Sequence, residues 1–211
     1  MSDPLVDTLF RSTVRQPLAP AIASAAPVRE VGTRTRAGNA MNRTRAALLD
    51  GARRAVEVSG TKITMAQVAA AAGVAKATLY NHFRTREAVL DALLLDEVAA
   101  LAERAQGRPL ADALITTARA ISEHPLLATL ARVEPATVAA LGRMDPAAAG
   151  WRVAAAAVDE LLAADGRTGA GLVLRWLASF VVSPGGSTSV AEDVAALVAA
   201  LPGRTEAAAI G

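Results

Sequence analysis

The sequence contains no cysteine, and only two of its 211 residues are histidine, His82 and His124. The lack of cysteine excludes disulfides, thiolate metal sites and cysteine nucleophiles. No second histidine or acidic residue stands at metal-ligand spacing from His124, which more often caps a helix than binds a ligand. A G-x-S-x-G elbow and a phosphate-binding glycine loop are also missing. The sequence therefore predicts no metal, no cofactor and no catalytic site.

Long apolar runs are missing as well. The best run, Gly171–Val182, contains Arg175 and is shorter than the ~18 residues that a membrane-spanning helix requires. Residues 19–26 resemble the apolar part of a signal peptide, but they are few and Pro20 interrupts them. We therefore expect a cytoplasmic protein without a membrane segment. Because strand-like alternation is also absent over any useful length, the predicted fold class is all-α.

The segment from Thr64 to Phe83, TMAQVAAAAGVAKATLYNHF, has the pattern of two short helices separated by a glycine. Thr64 is a good N-cap, and the first helix carries an apolar stripe at i, i+3, i+4 and i+7 spacing. Gly73 tolerates the left-handed backbone that a sharp turn between helices needs. A second helix is predicted over residues 75–82. This pattern is typical of a helix-turn-helix, although an ordinary pair of surface helices shares its bare outline.

The second helix has one inward and one outward face. At 100° per residue, Leu79 points inward while four other residues fall within an arc of roughly 140°. These four residues are Lys76, Ala77, Tyr80 and Asn81. They offer a cation, a phenol and an amide, which suit base edges in a major groove. Thr78 and His82 flank the arc, where a hydroxyl and an imidazole suit phosphate oxygens.

Charge is distributed unevenly along the chain. Residues 1–91 carry 13 basic and 7 acidic side chains, whereas residues 92–211 carry 9 basic and 13 acidic ones. A cationic N-terminal part attracts a polyanion such as DNA. The contrast therefore predicts DNA binding in the N-terminal part and a different activity in the C-terminal part.

Three successive segments, LLDGARRAVEVSG, ITMAQVAAAAGVAKATLYNHF and TREAVLDALL, resemble the DNA-binding domain of the TetR family of one-component transcriptional regulators. The resemblance spans about residues 43–95, and residues 96–211 match the family only in length and helical character. Its signature consists of Gly73-Val74, Thr78-Leu79-Tyr80, His82-Phe83 and Arg86-Glu87. The resemblance implies a helix-turn-helix domain over residues 43–90 and an effector-binding and dimerisation domain over residues 91–211.

By position, the resemblance implies base contacts from Lys76, Ala77 and Tyr80, to which the exposed arc adds Asn81. It implies phosphate contacts from Thr64, Thr78, His82 and Arg86. Two residues depart from the family's pattern. Ala75 stands where the family usually has a hydroxyl or acidic cap, and Met65 stands where a hydroxyl often contacts phosphate.

Residues 1–42 are rich in proline, alanine and arginine and are predicted to form a flexible arm. Four arginines stand just before or at the start of the first predicted helix, which covers residues 46–59. They are Arg34, Arg36, Arg43 and Arg45. Arginine-bearing arms beside a helix-turn-helix can enter a narrow minor groove. The alternative is a tail that only improves solubility or adds diffuse attraction to phosphates.

Helices also follow the helix-turn-helix. Thr85 can cap a long helix that continues to about Gln106, with an apolar stripe at Ala88, Leu94, Leu95, Val98 and Leu101. Glycine and proline then separate a series of further predicted helices. The first covers residues 110–124 and is followed by a shorter one that ends at residue 133. The others cover residues 135–143, 146–164, 168–182 and 190–201. We therefore expect a three-helix module that a long helix joins to a C-terminal bundle.

The predicted helix over residues 168–182 is apolar nearly all round, with Leu172, Trp176 and Phe180 among its large side chains. Such a helix must be covered on two sides, by the bundle and by a second subunit. The resemblance implies the same, since TetR-like proteins pair C-terminal helices in a four-helix dimer interface. A core helix of a monomer is the alternative.

The candidates for an effector pocket are Arg119, His124, Met144 and Trp151, although for each one alone surface charge, helix capping or core packing is the more common role. The resemblance implies a homodimeric repressor that binds a palindromic operator in double-stranded DNA and is released by a small effector of unidentified structure. A constitutive architectural DNA-binding protein without an effector is one alternative. An all-α enzyme with a chance helix pair is the other.

Overall fold

The computed structural model describes residues 32–143, 145–183 and 189–204. Within these ranges the chain forms ten α-helices and one short 3-10 helix, with a single isolated bridge between Arg167 and Gly203. The predicted all-α class is therefore confirmed. The helices are α1 (Gly32–Ser59), the 3-10 helix (Gly60–Lys62), α2 (Met65–Ala72), α3 (Lys76–His82), α4 (Arg86–Ala105), α5 (Leu110–Ser122), α6 (Pro125–Val133), α7 (Pro135–Gly142), α8 (Ala149–Ala164), α9 (Ala170–Val182) and α10 (Val190–Ala200).

Helix α1 begins at Gly32 and not near residue 46, so the predicted end of the arm at residue 42 is wrong. Residues 33–45 contain no proline and a single glycine, and nothing in them forbids a helix. They also carry no apolar stripe, which is why the pattern that located residues 46–59 did not extend to them. Residues 1–31 lie outside the described part of the chain.

The first hydrophobic core joins α1, α2, α3 and the beginning of α4. Its fully buried side chains include Leu48, Val68, Leu79 and Val89. Three residues of the following bundle belong to the same core, namely Leu126 and Leu130 of α6 and Val138 of α7. The three-helix module is therefore packed directly on the bundle, and both share one continuous apolar interior.

The second hydrophobic core lies within the C-terminal bundle and joins α5, α8, α9 and α10. Its deepest residues are Leu114, Leu162, Val173 and Val194. No helix within the described ranges combines the length and the apolar character that crossing a membrane requires.

Only some of the large apolar side chains that were predicted to form a dimer interface on helix α9 are exposed. Phe180 is 4% exposed and packs in the bundle core, with its ring edge-on to Trp176 at a centroid distance of 4.9 Å. The prediction that Phe180 lies in a dimer interface is wrong, because a side chain buried within its own chain has almost no surface for contact with a partner. Leu172 and Val182 are 45% and 52% exposed, and Trp176 is half-buried.

Helix α4 also differs from its predicted stripe. Its most buried side chains are Val89, Leu90, Ala92 and Leu93, which face the first core. The predicted positions Leu94, Val98 and Leu101 are half-buried and line a cavity. The apolar pattern therefore wraps around more of the helix than a single stripe, because α4 packs against two different interiors.

Helices α1 and α2 approach each other closely at Gly51. A Cβ atom added there would lie 2.6 Å from the Cβ and the backbone nitrogen of Ala72. Ala72 presents backbone atoms that cannot swing aside, so only glycine fits this crossing.

We expect Gly51→Ala to destabilise the fold by about 1–3 kcal/mol, because overpacking at this crossing forces α1 and α2 apart. The matched control is Gly150→Ala in α8, where an added Cβ meets Leu94 Cδ2 at an ordinary 3.6 Å. The control should be neutral or more stable by about 0.5–1 kcal/mol, since alanine restricts the unfolded chain more than glycine does. Urea unfolding of both variants checks the pair, and equal stability of the two would contradict the close approach.

Candidate nucleic-acid interface and internal cavity

Local hydrogen bonds hold the turn between α2 and α3. The backbone N–H of Gln67 donates to the Thr64 hydroxyl oxygen at 3.2 Å, and the backbone N–H of Thr64 donates to the side-chain oxygen Oε1 of Gln67 at 2.7 Å. Thr64 therefore caps α2 as predicted, through a full capping box. Gly73 ends α2 with φ +68°, and the Val74 amide N–H closes the turn onto the Ala69 carbonyl at 3.0 Å. The two helices are thus held in the predicted helix-turn-helix arrangement.

The outward face of α3 carries the four residues of the predicted arc. Lys76, Ala77, Tyr80 and Asn81 are all exposed, whereas Leu79 is fully buried. Tyr80 is 46% exposed, a large fraction for an aromatic residue of a folded domain. Helix α3 therefore presents a cation, a phenol and an amide together on one solvated face.

The residues predicted to contact phosphates have different surroundings. Thr78 and His82 are half-buried at the flank of the arc. The Thr64 hydroxyl donates to Gln67 Oε1 at 2.9 Å, so its hydrogen is already engaged in the cap. Arg86 is half-buried and donates to Glu87 Oε1 from both Nε (3.0 Å) and Nη2 (2.8 Å). A phosphate contact by Arg86 therefore requires it to share or leave this ion pair.

The predicted arm arginines lie on helix α1 and not on an extended segment. The guanidinium carbon of Arg45 lies 4.9 Å above the centre of the buried Phe83 ring, a cation–π distance. Arg43 is exposed on the same helix. The side chains of Arg34 and Arg36 lie outside the described part of the structure.

A cavity of about 750 Å³ lies among helices α4 to α9. Its walls are mainly leucine, valine, isoleucine and alanine, and exposed residues at Gln106–Pro109, Arg143 and Asp145 mark where it reaches the surface. His124 and Trp151 line it, as two of the four predicted pocket residues. Arg119 is exposed and is not part of the lining, so its prediction is wrong, and Met144 lies outside the described residues.

One polar cluster connects the cavity wall to α1. Glu97 of α4 accepts a hydrogen bond at its Oε1 from Arg53 Nε, at 2.6 Å. Its Oε2 lies 3.0 Å from His124 Nε2. Arg53 also pairs with Asp96 at 3.1 Å. Burial alone would raise the pKa of Glu97, but the hydrogen bonds from His124 and Arg53 outweigh it and lower that pKa. Glu97 is therefore an ionised carboxylate in the cavity wall.

A second polar cluster joins the end of α1 to the junction between α6 and α7. The Thr61 amide N–H donates to Glu134 Oε1 at 2.8 Å, and the Thr61 hydroxyl donates to Glu134 Oε2. The Thr137 hydroxyl donates to the same Oε2 at 3.2 Å. Gly60 has φ +65°, and a Cβ there would collide with Glu134 Oε1. Glycine thus permits the carboxylate to reach the backbone.

Arg53, Glu97 and Glu134 were not predicted as functional residues. Glu97 carried a detectable signal, because it stands three residues after Leu94 and four before Leu101, inside an apolar stripe. Glu134 carried none, since an acidic residue before a proline is equally typical of a surface boundary between helices. Within the described ranges, no group of three or more histidine or acidic side chains is placed to hold a metal ion.

Comparisons with known proteins agree with this geometry. Residues 48–93 match the family of bacterial regulatory proteins of the tetR type. GusR of Salmonella enterica is similar in structure, with 18% identity, a TM-score of 0.52 and coverage of 74% of this chain and 93% of that one. The TetR family repressor AlkX of a Dietzia species has 20% identity, a TM-score of 0.53 and coverage of 74% and 91%. No curated protein matches the chain.

The matched segment contains α2, α3, the C-terminal part of α1 and the first turns of α4, so it coincides with the helix-turn-helix and its supporting helices. The exposed arc of α3 lies within this segment. Residues 48–93 therefore form a helix-turn-helix domain of the type found in bacterial regulatory proteins of the tetR family.

Proposed function

We propose that this chain is a homodimeric cytoplasmic repressor that binds a palindromic operator through α3 and leaves it when a small effector occupies the cavity. The observation that carries the proposal is the position of α4. Leu90 and Leu93 of this helix pack in the core of the DNA-binding module and also line the cavity. A molecule in the cavity therefore presses on a helix that supports the recognition helix. AlkX, which shares the fold, is a TetR family repressor.

Helix α3 would read bases from the major groove. Lys76 can donate to guanine O6 or N7, Ala77 can contact a thymine methyl group, and Tyr80 and Asn81 can reach neighbouring base edges. Thr78 and His82 would contact phosphates at the flank, joined by Thr64 and, after release from Glu87, by Arg86. Two such helices in a dimer must reach half-sites ~34–36 Å apart.

The arginines of α1 would act through phosphates. A helix with side chains is about 10–12 Å wide, whereas a minor groove is about 6 Å wide. We therefore propose that this segment does not enter the minor groove. Instead, the basic residues Arg34, Arg36 and Arg43 of the helix would attract the DNA backbone. This contribution does not depend on base sequence.

The two polar clusters would couple the cavity to the DNA-binding module. Glu97 and His124 belong to the cavity wall, and Arg53 belongs to α1. Glu134 holds the α6–α7 junction to the turn after α1. An effector that shifts α4 or α6 must therefore move α1 or break these buried hydrogen bonds, and it weakens DNA binding by its preference for the shifted state.

Selection of bound duplexes from a random pool should enrich an inverted repeat. On that operator, Lys76→Ala should lose about 1–3 kcal/mol and relax preference at one base pair per half-site, because a base contact is removed. Titration of operator and scrambled duplex at two salt concentrations checks this result.

The control for Lys76→Ala is Arg104→Ala, which removes one exposed cation from the last turn of α4, away from the helix-turn-helix. It should leave operator preference unchanged. Equal losses of Lys76→Ala on both duplexes would make Lys76 a phosphate contact. Binding without any enriched sequence would favour the architectural alternative.

For dimerisation, we expect Leu172→Arg to give folded monomers, because the exposed apolar face of α9 would then carry a charge into the interface. Phe180→Arg should instead prevent folding, since Phe180 belongs to the core of its own chain. Light scattering and circular dichroism separate these results. Val58→Arg, on the exposed face of α1, is the control and should stay dimeric. A monomeric wild type at micromolar concentration, with and without DNA, would rule out the dimer.

For coupling, Glu134→Ala should lower stability by about 1–3 kcal/mol, because it leaves the buried amide of Thr61 without its acceptor. A compound that stabilises the wild type in a thermal-shift screen should still bind this variant but change its DNA affinity less. Glu123→Ala removes an exposed carboxylate near α6 and serves as the control. An undiminished DNA response in folded Glu134→Ala would exclude this cluster from the coupling.

A further inference from the structure

The cavity wall is mainly apolar, and its inner part carries a single carboxylate, Glu97, besides His124 and three threonines. Five acidic or basic side chains line the cavity among the described residues, and Arg108, Arg143, Asp145 and Glu160 of these are exposed. The Glu97 side chain is only 16% exposed, and that of its neighbour His124 only 15%. A ligand inside the cavity therefore meets one poorly solvated carboxylate, which is also paired with Arg53 of α1.

The Glu97 carboxylate retains hydrogen-bonding capacity. A carboxylate can accept about four hydrogen bonds, and Glu97 receives one from Arg53 at Oε1 and one from His124 at Oε2. Burial opposes its ionisation, but His124 and Arg53 lower its pKa, so it keeps its charge at neutral pH. Both carboxylate oxygens can therefore accept a further hydrogen bond.

His124 adds a polar atom without a partner beside Glu97. Its Nε2 donates to the Glu97 carboxylate, because an ionised carboxylate only accepts hydrogen bonds. Its Nδ1 is buried and has no hydrogen-bond partner within the described part of the chain. The ionised Glu97 carboxylate favours hydrogen-bond donors and cations at this position and disfavours a second anion.

We propose that the cavity selects an apolar molecule with a hydrogen-bond-donating head group, best of all a protonated amine, which binds Glu97 next to His124, and that it rejects carboxylates. This proposal rests on the proposed effector function of the cavity. The amine shares the Glu97 carboxylate with Arg53, and it thereby weakens the ion pair that ties α4 to α1. Ligand recognition and transmission to the DNA-binding module use the same carboxylate.

Three probes with one tail and different head groups test the head-group preference. We would titrate decylamine, 1-decanol and decanoate into the full-length protein without DNA, at pH 7.5 and fixed salt, by calorimetry. Decylamine should bind once per chain with a Kd at least tenfold below that of decanoate, and decanol should fall between them. Decanoate binding as tightly as decylamine, or no saturable binding of any probe, would overturn the proposal.

Glu97→Gln tests the residue, because it keeps the size of the side chain and removes its charge. The ratio between decanoate and decylamine Kd values should fall to within about threefold in this variant. Glu160→Gln, at an exposed part of the lining, should keep the wild-type ratio. An unchanged ratio in folded Glu97→Gln would overturn the assignment to Glu97. If the variant does not fold, the wild-type ratio still decides the head-group preference.

The DNA measurement separates this proposal from the proposed function. Decylamine at saturation should weaken operator binding at least tenfold, whereas decanoate at the same concentration should not. Tight decylamine binding without a change in DNA affinity would contradict the effector function and leave the ligand class standing. Release of DNA by decanoate without release by decylamine would contradict the ligand class and leave the effector function standing.

Discussion

The packing of α6 against α1 is the contact on which the rest of the structure depends. Leu126 and Leu130 fill the same interior as Leu48 and Val68, so the DNA-binding module has no core of its own that is separate from the bundle. Close-packed interiors transmit displacement because they contain few voids that absorb it. A displacement of α6 would therefore be transmitted to α1.

Buried polar groups make this apolar contact specific. Leucine side chains can pack in several registers, but Glu134 satisfies the Thr61 amide and hydroxyl only in one position, and Glu97 reaches Arg53 only in one. Breaking the first contact leaves the buried Thr61 amide without its acceptor, and breaking the second leaves the Glu97 charge with His124 as its remaining partner. Loss of a partner from a buried polar group costs more than the contact contributes. Under the proposed function, an effector would favour a state in which these hydrogen bonds are broken.

Local sequence signals predicted much of the fold. Helices begin after the capping residues Thr64 and Thr85 and end at Gly73, as the sequence predicts. The exposed arc of α3 followed from helical spacing alone. The missed features depend on contacts between distant segments. Periodicity does not reveal that Glu134 meets Thr61, that Phe180 turns into its own bundle, or that Arg119 faces solvent. The extension of α1 was missed because a polar helix has no apolar stripe.

The early start of α1 changes the entropy of DNA binding. An unstructured segment that orders on a partner loses about 1–2 kcal/mol of backbone entropy per residue, and this loss opposes binding. Residues 32–45 are already helical in the free chain, so their ordering is completed during folding. If this part of α1 contacts DNA as proposed, it would do so as a preformed helix, with a smaller entropic penalty and less freedom to adapt to the shape of a particular duplex.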